Sequence, residues 1–212
     1  MNGSTATVVG NPLLQLANDR AQARAQGDAM ANLACLATAA DGQAAARMLV
    51  LRDIDDELAL FYSDTSPKSA QLRNGARPEL LIYLPSLNVQ YRLAVRLRAL
   101  PAALLTLHWQ RRPEAAKRID WFYNTVSAQS LPIASRAALQ QAVAKNAHSG
   151  ATSLSQPPPA AGGYFLDVQA IERLHIQDTD PPHDRRRYIR IGSTAHAGHP
   201  AQQEWQEQVL VP

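Results

Sequence analysis

The chain has 212 residues, 46% of them hydrophobic, which suits one globular domain with a sizeable core, or two small ones, and excludes a disordered chain. The net charge of +3 comes from arginines grouped around 92–98, 111–118 and 185–190 rather than along one stripe, and aromatics are only 6%, so the pattern suits a phosphorylated small ligand and not a nucleic-acid module. No apolar run reaches the ~20 residues of a membrane helix. The N-terminus has no basic segment before an apolar core and is not read as a signal peptide. Cys35 is the only cysteine, so no intrachain disulfide is expected, in keeping with a reducing cytoplasm.

Residues 11–27 predict a helix, with Asn11 as cap, Pro12 in the first turn and Gly27 at the end. Strand-length apolar segments follow at 31–39, 46–53, 57–63, 79–84 and 90–99. The turns Asp41-Gly42 and Asp55-Asp56 make the first three a meander of antiparallel hairpins. Ser66–Asn74 reads as a short helix. In the segment 90–99, Tyr91, Leu93, Val95 and Leu97 share one parity, opposite Arg92, Arg96 and Arg98, so one side is buried and the other basic. Residues 101–124 read as helical with a break at Pro113, and 134–146 as a further helix. The Ser/Gly/Pro-rich stretch 148–161 reads as a flexible loop. Strands are expected at 163–168, 172–177, 185–192 and 204–211, with 193–203 as a hairpin loop. The part after the loop is too short for a core of its own, so 1–212 is read as a single domain. Strands on either side of a helical insert predict an antiparallel α+β fold, closed or split into a barrel. No Gly-x-Gly-x-x-Gly or Walker-type loop is present.

Little else carries chemistry by itself. Cys35 lies in an apolar segment and reads as a structural thiol. His196 and His199 have no third ligand nearby, so no metal site is expected. Ser130 lacks the glycine elbow of a hydrolase nucleophile.

An ordered set of motifs is more informative. Arg47-Met-Leu-Val-Leu-Arg52 is followed by Phe61-Tyr-Ser-Asp-Thr-Ser-Pro-Lys-Ser-Ala70, then Ser127-Ala-Gln-Ser-Leu-Pro-Ile-Ala-Ser-Arg136, Gly162-Gly163, Ile171-Glu172 and Pro182-His-Asp-Arg-Arg-Arg-Tyr188. In this order and spacing the chain resembles the pyridoxamine 5'-phosphate oxidase family, from about Leu33 to Pro212. The resemblance implies an antiparallel FMN-binding split β-barrel with peripheral helices, working as a homodimer with the FMN site at the subunit interface. It assigns cofactor contacts to Arg47, Met48, Leu49, Val50, Tyr62, Ser63, Lys68, Ser69, Gln90, Gln129, Ser130 and Arg185. It assigns substrate contacts to Arg52, Arg112 and His183, and no catalytic residue is singled out. The chain departs from the family pattern at several positions: Ser69 stands for a basic residue, Arg52 for a lysine, His108 for a tyrosine, Leu174 for a tryptophan and Pro181 for a substrate-binding arginine, a family serine is not evident, and about four residues are inserted between Pro113 and Gln129. The resemblance therefore implies an FMN-dependent oxidoreductase in the cytoplasm acting on an unidentified small substrate, with phosphorylated molecules among the candidates. The alternatives are an authentic pyridoxamine/pyridoxine 5'-phosphate oxidase, or a protein that binds FMN or pyridoxal phosphate without turnover.

Overall fold

The computed structural model describes residues 7–147, 154–178, 182–194 and 202–212. The chain falls into two compact units, each built from separated stretches of sequence.

The first unit comprises Met1–Arg52, Arg77–Arg96 and Leu166–Pro212. It holds β1 (Thr7–Val9), α1 (Pro12–Ala25), β2 (Leu33–Ala40), β3 (Gln43–Val50), β6 (Glu79–Leu84), most of β7 (Val89–Ala99), the larger part of β8 (Ala161–His175), β9 (Asp184–Thr194) and β10 (Gln202–Val209). Its strands run β1-β10-β9-β8-β7-β6-β2-β3, with antiparallel register along the printed pairs. The β2–β3 turn forms where Asp41 and Gly42 both take positive φ. Helix α1 begins where Asn11 Oδ1 accepts from Leu13 N at 3.0 Å, with Pro12 in the first turn, and stops before Gly27 at φ +75°. It buries Leu16 and Ala23, and Arg20 as well, whose Nε donates to the carbonyl of Ala31 at 3.0 Å. One face of the sheet is core: Leu36, Leu80, Ile82, Tyr91, Leu93, Ile171 and Trp205 are buried. On the opposite parity Met48, Val50, Leu81 and Tyr83 are partly exposed.

Within that core Tyr91 donates from its hydroxyl to Asp19 Oδ2 at 2.5 Å. Arg173 Nε donates to Tyr91 Oη at 3.0 Å, and its Nη2 lies 3.3 Å from Asp19 Oδ2. Asp19 is on α1, Tyr91 on β7 and Arg173 on β8, so this partly buried polar triad ties the helix to the sheet.

The second unit comprises Asp53–Ala76 and Leu97–Phe165. The hairpin of β4 (Arg52–Ile54) and β5 (Glu57–Ser63) turns at Asp55 and Asp56, both at positive φ. β5 pairs antiparallel with the start of β8, from Ala59 opposite Phe165 to Ser63 opposite Ala161. Helices α2 (Pro67–Arg73), α3 (Ala102–Gln110), α4 (Glu114–Thr125) and α5 (Arg136–Ala147) complete it. Ile54, Ala59, Leu100 and Phe165 form its core, with Phe61 and Leu104 packed against them. Pro113 separates α3 from α4, as its missing N–H and fixed φ require.

Three expectations need correction. The strand expected at 46–53 is divided, with β3 ending at Val50 and β4 starting at Arg52, and β5 pairs with β4 and β8 rather than with β3, so the expected three-strand meander stops at the β2–β3 hairpin. The strands expected at 163–168 and 172–177 are one strand, β8, of 15 residues. It first pairs with β5 and then, from Ala170, with β9, so its burial pattern changes along its length and imitates a break. The 193–203 segment is not all loop: β9 runs to Thr194 and β10 starts at Gln202. Pro181, His196 and His199, and the first part of the expected 148–161 loop, lie outside the described residues. The end of that loop is pinned, since Leu154 accepts from Trp109 Nε1 at 3.1 Å and Ala160 N donates to Asn124 Oδ1 at 3.1 Å.

Candidate functional site

The densest group of buried polar side chains in the second unit surrounds the junction of β5 and α2. The junction is shaped by hydroxyls. Ser63 Oγ and Thr65 Oγ1 share a hydrogen bond of 2.7 Å, and Thr65 N donates back to Ser63 Oγ at 3.3 Å. Pro67 then fixes the first turn of α2. As a result Ser66, Lys68 and Ser69 all point inward, with 2%, 7% and 3% exposure. Burying an ammonium is costly without compensating contacts. Lys68 Nζ donates to Gln129 Oε1 at 3.1 Å and lies 5.4 Å above the Tyr62 ring.

Tyr62 in turn stacks on Tyr164, with centroids 4.7 Å apart and planes 14° from parallel. The register explains the stack. Gly162 faces Tyr62 across the β5–β8 pair, and a Cβ there would lie 2.7 Å from Tyr164 Cε2 and 3.0 Å from Asp64 Oδ1. Glycine therefore leaves the space that the Tyr164 ring occupies. Tyr164 Oη donates to Asp64 Oδ1 at 2.7 Å, and Ser69 Oγ donates to the same oxygen at 3.2 Å. Arg73 Nη1 donates to Ser69 Oγ at 2.9 Å and to the Asp64 carbonyl at 3.3 Å. Burial, then its hydrogen bond to Asp64, pushes the Tyr164 phenol up to about 12. Burial, with the Tyr164 hydroxyl beside it, raises Tyr62 further still.

Thus Tyr62, Ser63, Lys68, Ser69 and Gln129, each chosen from the sequence, occupy one neighbourhood. Ser130 follows Gln129 in the turn, exposed and at φ +73°. Asp64, Arg73 and Tyr164 belong to the same network and were not singled out from the sequence. The pair Gly162-Gly163 was the available signal for Tyr164, because two glycines in a strand mark close approach of other groups. The cluster fits a phosphate monoester such as that of FMN. It presents a buried cation, and Ser66 Oγ is a buried hydroxyl with no hydrogen-bond partner among the described residues.

Arg112 is also in the second unit, at the α3–α4 corner. It pairs with Asp120 at 2.7 Å and stacks over Trp109 at 5.5 Å. Burial raises the Asp120 carboxyl above its ordinary value, and Arg112 opposes this.

The remaining sequence-chosen residues are in the first unit. Arg47, half-buried on β3, donates from Nη1 to Thr38 Oγ1 at 2.8 Å and to the Leu36 carbonyl at 3.3 Å. Burial lowers its guanidinium from the ordinary value. Met48 and Val50 are exposed on the other parity of β3, and Leu49 is half-buried on the parity of Arg47. Gln90 stands opposite Tyr83, and Arg52 is exposed at the start of β4. Arg185 is bonded twice to Glu172 Oε1, at 2.8 and 3.0 Å, and faces Leu174 across the strands. His183 is exposed at φ +63°, where its Nδ1 accepts from Gln177 N at 3.3 Å. Among the described residues no group of three or more His, Cys, Asp or Glu is placed to hold a metal. No helix among them is long and apolar enough to cross a membrane.

No family model matches the chain. Individual relatives do. It is 33% identical over 168 residues to a pyridoxine/pyridoxamine 5'-phosphate oxidase of Nitrobacter winogradskyi, covering 77% of this chain and 73% of that one. It is 29% identical over 192 residues to the corresponding oxidase of Anaeromyxobacter dehalogenans, covering 89% and 93%. Among solved structures, PhzG from Burkholderia lata, in complex with tetrahydrophenazine-1-carboxylic acid, superposes with a TM-score of 0.78 at 23% identity, over 96% of this chain and 94% of that one. A pyridoxamine 5'-phosphate oxidase-related, FMN binding protein from Nostoc punctiforme gives a TM-score of 0.70 at 19% identity, over 96% and 98%. The fold is that of the antiparallel FMN-binding split barrels, and on the sequence identities the chain belongs to the pyridoxine/pyridoxamine 5'-phosphate oxidase family.

Proposed function

We propose that this chain is an FMN-dependent oxidoreductase acting on a small substrate. One observation carries the reading: the buried Lys68 ammonium, bonded to Gln129 and above Tyr62, in the first turn of the short helix that the orphaned Ser66 hydroxyl immediately precedes. A cation and a free donor in a dry setting are what a flavin phosphate needs. Lys68, Ser66 and Gln129 hold the cofactor in this reading, and Tyr62 with Ser63 shapes the floor around it. Arg47, the Met48–Val50 backbone, Gln90, Ser130 and Arg185 keep the cofactor contacts that the family resemblance gives them. Bound flavin supplies the acceptor for two electrons taken from the substrate. The protein's own part is to orient the substrate and exclude water. Arg52 and His183 are exposed and open to an incoming anion, whereas Arg112 must share its charge with Asp120. The working unit is a homodimer whose flavin sites lie at the subunit interface, and the compartment is the cytoplasm.

Purified chain titrated with FMN should quench flavin fluorescence and keep the yellow flavin through gel filtration, and a chain that stays apo in excess FMN would defeat the reading. Sedimentation should give a dimer. A second reading, turnover of pyridoxine or pyridoxamine 5'-phosphate, is favoured by the names and identities of the relatives. Against it stand Leu174 and Pro181, which offer neither an aromatic face nor a charge. Peroxide release from both phosphates at about 1 per second or more would establish the second reading. The first expects a far lower rate from the FMN-loaded chain.

A further inference from the structure

A phosphate monoester carries about −1.5 to −2 charges at neutral pH, and Lys68 balances one of them. The next cation along α2 is Arg73. Its Nη1 is fixed by Ser69 Oγ at 2.9 Å and by the Asp64 carbonyl at 3.3 Å. Ser69 is itself buried and adjacent in sequence to Lys68. A guanidinium has five N–H donors. The two bonds use only Nη1, so the donors on Nε and Nη2 have no hydrogen-bonded partner among the described residues. Both cations also act on one ring. Lys68 lies over the face of Tyr62, and the charge of Arg73 is felt at the hydroxyls of Tyr62 and Tyr164, where it opposes the rise caused by burial. The acid in this neighbourhood is Asp64. Its Oδ1 already accepts from the Tyr164 and Ser69 hydroxyls, so that oxygen is satisfied by neutral donors.

We propose that Arg73 is the second cation of the flavin phosphate site, held ready by Ser69 and Asp64, with the Ser66 hydroxyl as a further donor. The inference rests on the FMN reading above and deepens it: phosphate recognition is concentrated on α2, with cations five residues apart. Position 69 then serves by accepting from the guanidinium rather than by carrying charge.

Riboflavin separates phosphate recognition from ring recognition, because it lacks only the phosphate. Dissociation constants for FMN and riboflavin are measured by flavin fluorescence at low and high salt, for the wild type, Arg73→Gln and Arg73→Lys, with thermal melts to establish folding. The wild type should prefer FMN. Arg73→Gln should weaken FMN about tenfold and flatten its salt dependence, leaving riboflavin within about twofold. Arg73→Lys should recover most of the loss. Equal weakening of both flavins would assign Arg73 to support of the β5–α2 turn and overturn the proposal, as would no change for either. A wild type that binds the two flavins equally overturns this inference while the flavin reading stands. A wild type that binds neither removes the flavin reading itself.

Discussion

Lys68 and Gln129, 61 residues apart in the chain, meet through a 3.1 Å hydrogen bond from Nζ to Oε1. The contact holds a buried ammonium in one position, and in the proposed reading that position decides where the flavin phosphate binds. Lys68→Met should therefore weaken FMN by about ten- to a hundredfold, the range for a charge-assisted hydrogen bond, with little effect on riboflavin. Gln129→Leu removes a neutral partner and should cost only about 0.5–1.5 kcal/mol of FMN binding. Fluorescence titration checks both, and a larger loss for Gln129→Leu than for Lys68→Met would reverse the assigned roles.

Gly162 is fixed by sterics rather than by its dihedral freedom. A Cβ would meet Tyr164 Cε2 at 2.7 Å and Asp64 Oδ1 at 3.0 Å, so the tyrosine stack or the carboxylate must move. Gly162→Ala should lower stability by about 1–3 kcal/mol, the usual cost of overpacking. Urea unfolding measures this. The same variant should bind FMN less tightly, because the Tyr62 ring beneath Lys68 loses its neighbour.

Local chemistry made much of the fold readable. Asn11, Pro12 and Gly27 mark both ends of α1, and the aspartates at 41, 55 and 56 take the positive φ that tight turns require. The parity of Tyr91, Leu93 and Val95 gives the buried face of β7 directly. Other features had no local signature. β8 changes partner between Phe165 and Ala170, so no single alternation describes it. β1 has only three residues and exists through its pairing with Glu207, Gln206 and Trp205. In the site, Lys68 and Gln129 were legible only as members of an ordered motif set. Asp64 and Arg73 were not legible, because their roles arise from hydroxyl relays that depend on register and on the α2 turn.

The triad of Asp19, Tyr91 and Arg173 should be a main tie between α1 and the first unit's sheet. Tyr91→Phe removes an acceptor and a donor but leaves the Asp19–Arg173 pair, and should cost about 1.5–3 kcal/mol. Arg173→Met leaves a largely buried Asp19 without its cation and should cost roughly 3 kcal/mol or more. Denaturant midpoints should therefore fall in the order wild type, Tyr91→Phe, Arg173→Met. The reverse order would mean that the hydroxyl and not the charge pair carries the tie.

Alkali should expose the buried phenols as a group. Burial raises Tyr62, Tyr91, Tyr164 and Tyr188 above the ordinary tyrosine value near 10, with Tyr164 and Tyr188 at about 12 and the other two higher. A group whose folded value exceeds its unfolded one favours the folded state while it keeps its proton. Their contribution is thus fully present below pH 10 and is lost as pH rises through the folded values. These four should stay protonated at pH 10 in the native protein. Absorbance at the phenolate band should show a late step, above pH 10, that accompanies loss of the circular dichroism signal. Tyr91→Phe should shrink that step by one phenol. A titration in which these four ionise near pH 10, with the fold intact, would mean that their rings are open to water.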